Sequence, residues 1–311
     1  MGDAFSEKTL SPMLIGASAE PFDKPGYIYE LKLDGERGLA YVDREGVELR
    51  NKRNMRMLRK FPELGGLHRL VRERCILDGE YVALVDGKPD YGQVQRRSLM
   101  NNEFRIDLHR RQVPISFVAF DILYLGDRLL THLPLLERKA LLERTVEESE
   151  ELAISRYLES GGRGLFAAAK ERKLEGIVAK RRESLYHPGK RTTDWVKIKN
   201  LQDDDYIVLG YIEKAEGVVS LVLGQLAQTG MRYCGHVTLG ISDEAFARIC
   251  QLPPVDPPFC PVPPGNERAR WLEPRLVCTV QYLVKSESGS LRHAVFKALR
   301  PDKEPEDCRA E

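Results

Sequence analysis

The 311-residue chain is 42% hydrophobic and 31% charged, which supports folded cores over disorder, and its length favours about two domains. Its most apolar run, Ile115–Leu125, contains Asp121 and falls short of the roughly 18 to 20 uncharged residues a membrane span needs. Asp3, Glu7 and Lys8 argue against a signal peptide, and six scattered cysteines without a C-x-x-C pair argue against a zinc cluster or a disulfide framework. The expected location is therefore the cytoplasm, without membrane association.

The net charge of +1 conceals an asymmetry: residues 1–200 carry 36 Lys and Arg against 31 Asp and Glu, whereas residues 201–311 carry 12 against 16. In the first part, residues 27–34 (YIYELKLD) alternate apolar and polar side chains and predict a strand ending at the Asp34-Gly35 turn. Further strands are predicted at 37–42, 47–50, 75–84, 116–125, 176–180 and 195–198, and helices at 134–148 and 164–173. The irregular mixture predicts an α+β domain built on antiparallel sheet over residues 1–200.

Residues 200–205 (NLQDDD) form an acidic, weakly apolar segment that reads as a linker. Beyond it, strands are predicted at 206–212, 218–227, 231–239 and 276–285 with a helix near 243–250, which fits a small β-barrel of the oligonucleotide-binding (OB) type over residues 201–311. The proline-rich residues 253–264 predict an extended surface connection.

Candidate chemistry is spread along the chain in order. Lys32-Leu33-Asp34-Gly35 places a lysine where a strand breaks into a turn. It is followed by Arg37, by Arg53 in NKRN, by Asp78-Gly79-Glu80, by Phe120-Asp121, by Glu175 in EGIVAK, by Lys197 and Lys199 in WVKIK, and by Arg292 to Lys303 (RHAVFKALRPDK). A lysine is a nucleophile only as the neutral amine, so a reactive Lys32 would need desolvation or cationic neighbours, for which Arg37, Lys197 and Lys199 are candidates. Lys197 and Lys199, one residue apart on a strand, share a face. Residues 50–60 hold six basic residues in eleven, and Lys180 to Arg182 and Lys190-Arg191 add more; such clusters suit the phosphates of DNA.

This ordered series resembles the covalent nucleotidyltransferases, and specifically the ATP-dependent DNA ligases, from about Pro12 to Cys308. It resembles the ligase module of bacterial end-joining ligase D, here expected to stand without polymerase or nuclease modules. The resemblance implies that Lys32 carries AMP as a phosphoramidate, that Lys197 and Lys199 neutralise the α-phosphate, and that Asp34 assists the DNA-stage steps. It implies further that Glu30 contacts the adenine amino group, Phe120 stacks on adenine, Glu80 accepts a ribose hydroxyl, and Arg37 and Arg53 lie near the ribose and the DNA 5′-phosphate. Glu175 would help hold Mg²⁺, with Mn²⁺ as the alternative metal. Arg292, Arg300 and Lys303 would close over the β and γ phosphates of ATP, with residues 200–205 as the hinge. The chain departs from the family's S-R-N-G at Asn51-Lys52-Arg53-Asn54.

The expected activity is sealing of nicked double-stranded DNA by a monomer, with a Ku-like end-binding protein as the partner the resemblance suggests. An RNA ligase or a GTP-using capping enzyme is the nearest alternative. A nucleic-acid adaptor that has lost catalysis is the alternative of another class.

Overall fold

Alternating apolar positions become two sheets in the first 200 residues. The computed structural model describes residues 3–214, 217–285 and 289–310, and the chain divides into the units Met1–Asn200 and Leu201–Glu311. In the first unit a five-stranded sheet runs in the spatial order Leu14–Ser18, Arg191–Lys199, Gly176–Arg181, Tyr27–Leu31, Tyr157–Leu158. A second sheet runs Val47–Asn51, Glu36–Val42, Cys75–Val85, Ile115–Leu125, Arg128–Leu129, with two short strands paired alongside. Most neighbours are antiparallel. Leu14–Ser18 beside Arg191–Lys199 and Leu152–Ile154 beside Ile115–Leu125 are parallel.

Three apolar layers follow from the two faces of each sheet. Ile28, Val178 and Trp195 of the five-stranded sheet pack with Leu39, Ile76, Phe120 and Leu123 of the other. The opposite face of the larger sheet, with Leu77, Phe117 and Ile122, is covered by Leu142 of the Leu135–Thr145 helix and by Leu64 and Leu67. The Gly162–Glu171 helix covers Tyr29, Ile177 and Ile198. Burying side chains of this size contributes about 1.5–3 kcal/mol each.

The strand register is irregular at Phe120. Asp78 pairs with Asp121 and Gly79 with Ala119, so Phe120 is skipped as the extra residue of a β-bulge. Alternation from Phe117 and Ala119 already turns Phe120 to the layer between the sheets, and the bulge resets the pattern after it, so that Ile122 returns to the Phe117 layer.

The second unit contains a six-stranded sheet in the order Gly230–Val237, Val219–Ala227, Gln202–Glu213, Val277–Tyr282, Val295–Leu299, with Arg270–Trp271 paired to Gln202–Glu213. A parallel bridge between Leu239 and Val295 links the two ends of this path. The curled sheet is compatible with an OB-fold.

Three local expectations are corrected. The first strand ends at Leu31, so Lys32 lies just beyond it. Two helices, Tyr91–Leu99 and Glu103–Gln112, occupy a region without a predicted element; Asp90 and Asn102 cap them by accepting hydrogen bonds from the Gln93 and Arg105 amides. The acidic segment is not an open linker. Residues from Gln202 onward form a strand paired with Val277–Tyr282, because the carboxylates meet partners brought from distant strands.

Candidate functional site

A cavity of about 370 Å³ opens in the first unit, lined from the five-stranded sheet by Glu30, Lys32, Val178, Lys180, Trp195 and Lys197 and from the larger sheet by Arg37, Glu80 and Phe120. Strand register explains the convergence. Glu30 pairs with Val178, and Val178 with Lys197, so the three form one cross-strand row. Lys180 and Trp195 form another such pair, and Arg37 lies opposite Glu80.

Lys32 donates from Nζ to Glu175 Oε2 at 2.7 Å, and its backbone amide bonds the Gly176 carbonyl at 2.9 Å. These two contacts fix the lysine beside the Glu175 strand end. Gly176 permits the approach: its φ is +134°, and a Cβ there would lie 2.1 Å from the Ile198 carbonyl oxygen. Lys32 is 21% exposed and Glu175 only 5%. The hydrogen-bond partner of the Lys32 amine is thus a carboxylate, not one of the predicted cationic neighbours.

Glu30 is buried, with Lys139 Nζ at 2.7 Å and Lys180 Nζ at 2.9 Å from Oε1, while Ser155 donates to Oε2 at 2.8 Å. Burial pushes the Glu30 carboxyl up, but the two ammonium groups outweigh it and hold it below its ordinary range. Burial brings Lys180 down to about 8 despite Glu30. Its ammonium lies 4.4 Å from the Phe120 ring centroid and 4.3 Å from that of Trp195, a cation–π arrangement. Phe120 and Trp195 meet edge to face at 6.1 Å.

Arg37 forms a two-pronged pair with Asp78, Nε to Oδ1 at 2.8 Å and Nη2 to Oδ2 at 2.6 Å, and stacks 4.6 Å from the Phe120 centroid. Tyr186 donates to the same carboxylate at 2.6 Å. Burial pushes the Glu80 carboxyl up to about 8, against the pull of Arg37 and Lys32. At neutral pH Glu80 is thus mostly protonated and able to donate as well as accept a hydrogen bond. Asp121, beside Phe120, is committed elsewhere, to a fully buried pair with Arg138 at 2.8 Å.

The structure gathers Glu30, Lys32, Arg37, Glu80, Phe120 and Lys197 at one cavity and sets Glu175 against Lys32. Lys199 faces Gly176 across the strand pair but, like Asp34, is not among the residues lining the cavity. Arg53 is exposed and also outside the lining, whereas Lys52 is part of it. Asn54 takes the left-handed conformation at φ +61°, which asparagine tolerates better than most residues. Lys180 cannot serve the exposed basic surface, being buried on Glu30; Arg182 pairs with Glu159, and Arg50 with Glu48. Sequence reasoning did not select Lys139 or Ser155, and it assigned Lys180 to an exposed basic cluster instead of the pocket. The signal for Lys139 was present, since it lies four residues after Leu135 and three before Leu142 on the inward helix face.

In the second unit Arg300 and Lys303 both reach Asp205, Arg300 at 3.4 Å and Lys303 in a short ion pair. Arg292 sits apart in a two-residue strand paired with Val284–Lys285. Among the described residues no group of three or more His, Cys, Asp or Glu side chains could enclose a metal, and no helix is long and apolar enough to cross a membrane.

Comparison with known proteins adds the following. Residues 12–199 match the family model described as ATP dependent DNA ligase domain, and residues 214–303 match ATP dependent DNA ligase C terminal region. The chain is 31% identical over 316 residues to the multifunctional non-homologous end joining DNA repair protein LigD of Mycobacterium tuberculosis, covering 97% of this chain and 40% of that protein. The chain thus spans about 40% of the length of such relatives. It is 31% identical to DNA ligase C1 of Mycolicibacterium smegmatis, covering 96% of this chain and 92% of that one. A structure of mycobacterial DNA ligase D complexed with ATP and MES is similar with a TM-score of 0.57 and 30% identity, covering 97% and 98% of the two chains.

Proposed function

The chain belongs to the ATP-dependent DNA ligase family, and on that footing we propose that it seals 5′-phosphate/3′-hydroxyl breaks in duplex DNA through an AMP-carrying Lys32. The observation that carries this reading is the placement of Lys32 at the cavity where Phe120, Lys180, Lys197, Arg37 and Glu80 converge. A planar base fits against Phe120, with Glu30 and Lys180 as polar groups at its edge. Glu80, near neutral, suits a ribose hydroxyl. Lys197 and Lys52 supply positive charge for phosphate, while Arg37, locked on Asp78, gives the pocket a rigid cationic wall.

In the first step Lys32 Nζ, freed from Glu175 and deprotonated, forms a P–N bond to the α-phosphorus as the P–O bond to pyrophosphate breaks. A 5′-phosphate oxygen of DNA next displaces the lysine, which regains its proton. The 3′-hydroxyl then attacks the phosphorus of the DNA 5′-phosphate, losing its proton as the P–O bond to AMP breaks and AMP leaves. Lys199 and Asp34 are proposed to assist from beside the cavity, Arg53 to meet DNA, and Arg292, Arg300 and Lys303 to attend the leaving pyrophosphate. Glu175 fits Mg²⁺ or Mn²⁺, since a divalent ion of this kind commonly takes one carboxylate and completes its shell with phosphate oxygens and water. When bound, the ion supplies charge neutralisation at the phosphates. A Ku-like end-binding protein is the proposed partner at double-strand ends.

The test is intact mass and peptide mapping after incubation with ATP and Mg²⁺. An AMP adduct on Lys32, lost together with nick sealing in a folded Lys32→Ala variant, is expected. Sealing by Lys32→Ala would overturn the assignment. An adduct with GTP, or sealing of nicked RNA over matched nicked DNA, would point to the capping or RNA-ligase alternatives. DNA binding without any adduct on initially unmodified protein would point to an adaptor.

A further inference from the structure

The carboxylate of Asp205 joins two cations that lie on a different strand end. Thr279 Oγ1 donates to Oδ1 at 2.5 Å, Arg300 Nη1 lies 3.4 Å from Oδ2, and Lys303 Nζ donates to Oδ2. Asp302 also holds Arg300, with Nε to Oδ1 at 2.9 Å and Nη2 to Oδ2 at 2.7 Å. These two acids differ in kind. Asp302 belongs to the same RPDK segment as the cations and accompanies them in any conformation, whereas Asp205 belongs to the Gln202–Glu213 strand and can be exchanged for another anion. Arg300 is 32% and Lys303 34% exposed, so solvent reaches both while Asp205 holds them.

We propose that Asp205 is a resident competitor for the phosphate-binding cations: it occupies Arg300 and Lys303 until a ligand carrying more negative charge, pyrophosphate or the triphosphate of ATP, displaces it. The inference rests on the ligase reading for the role of Arg300 and Lys303. The physical argument is charge density. A single carboxylate offers one negative charge, about what one DNA phosphodiester offers, so an isolated phosphodiester gains little by replacing it. Pyrophosphate presents several charges on adjacent oxygens and can satisfy both cations at once. Asp205 thereby reserves the pair for polyphosphate and returns to it when pyrophosphate has gone.

The test compares wild-type chain with Asp205→Asn and Asp205→Glu, with folding checked by thermal melting. Two readings are made on each: the KM for ATP in lysyl-AMP formation and inhibition of that step by added pyrophosphate. Asp205→Asn is expected to lower the KM and the inhibition constant together by about fivefold, and Asp205→Glu to restore wild-type values. Unchanged constants in a folded Asp205→Asn would reduce Asp205 to a structural partner, and weaker binding would make it a group that orients the cations for phosphate; either overturns the proposal. Failure of both Asp205→Asn and Asp205→Ser to fold would also overturn it, since the carboxylate would then be required by the barrel itself. If the wild-type chain forms no adduct, the ligase reading has failed, and calorimetric binding of inorganic pyrophosphate to the same variants still decides the role of Asp205.

Discussion

One carboxylate, two cations and one hydroxyl come together twice in this molecule. In the first unit they are Glu30, Lys139, Lys180 and Ser155; in the second, Asp205, Lys303, Arg300 and Thr279. The chemistry is matched and the surroundings are not. The side chains of Glu30, Lys139 and Lys180 are 3%, 1% and 3% exposed, against 15% for Asp205 and about a third for its two cations. Removing charges from water is costly, and the buried set recovers that cost only through mutual attraction, so its members are fixed parts of the pocket. The half-exposed set is screened and hydrated on one side, so its partners can be traded for a ligand at little cost. Burial thus separates a cluster that shapes a site from one that can respond to it.

Breaking the buried cluster gives the largest expected effect. Glu30→Ala leaves Lys139 and Lys180 facing each other in an apolar surround, and a loss of about 3–5 kcal/mol in urea unfolding is expected. Replacing all three with apolar residues of similar volume should recover most of it, because the penalty arises from the unpaired charges. A loss under about 1 kcal/mol for Glu30→Ala would erase the difference between the clusters.

A smaller effect concerns pH, and it sharpens what burial does within the pocket. Glu80 is held at about 8, above the ordinary carboxylate value of 4.5. The folded state therefore keeps a proton that the unfolded chain releases. The Glu80 contribution is fully present below about 4.5, declines as pH rises, and is gone above about 8. Lys180, brought down to about 8 from 10.5, acts in the opposite sense: its folded state gives up a proton that the unfolded chain retains, so stability is regained between about 8 and 10.5. Urea titrations of wild type and Glu80→Gln at a series of pH values should show that the variant lacks the falling limb from pH 5 to 8 and keeps the rise beyond it. A variant with the wild-type slope would mean that Glu80 is ionised and hydrated in the folded chain.

The sequence disclosed more of the sheets than of the clusters they support. Alternation located Glu36–Val42, Cys75–Val85 and Ile115–Leu125 to within a residue or two, because each strand has a buried face that local residue order records. Lys32, Glu30, Phe120 and Lys197 were legible from their motifs. Lys180 was read as part of an exposed basic cluster, because a lysine in a buried strand makes sense only once Glu30 of a neighbouring strand is beside it. The Asp203 to Asp205 run read as a linker for the same reason: the partners of Asp205, Thr279, Arg300 and Lys303, lie more than seventy residues away. The Tyr91–Leu99 helix escaped because Arg97, wholly buried against Glu63 and His109, stands where its inward stripe would show an apolar residue. Arg53 was preferred to Lys52 because charge type was legible and direction was not; the Lys52 amide bonds the carbonyl of Arg37, a cavity residue, and Lys52 lines the cavity.

The smallest effect is expected at Asp205, and its smallness is informative. Asn keeps the shape and can still accept from Thr279, while Lys303 and Arg300 lose one anion that water and, for Arg300, Asp302 replace. Exposed pairs of this kind contribute little to folding, so the melting temperature of Asp205→Asn should stay within about 3 °C of wild type. What difference there is should shrink further in high salt, where screening already weakens the native pair. A loss as deep as that of Glu30→Ala would show that exposure is not what separates the two clusters. A negligible one means that altered pyrophosphate binding in the same variant reports on the cations themselves, since the barrel that presents them is intact.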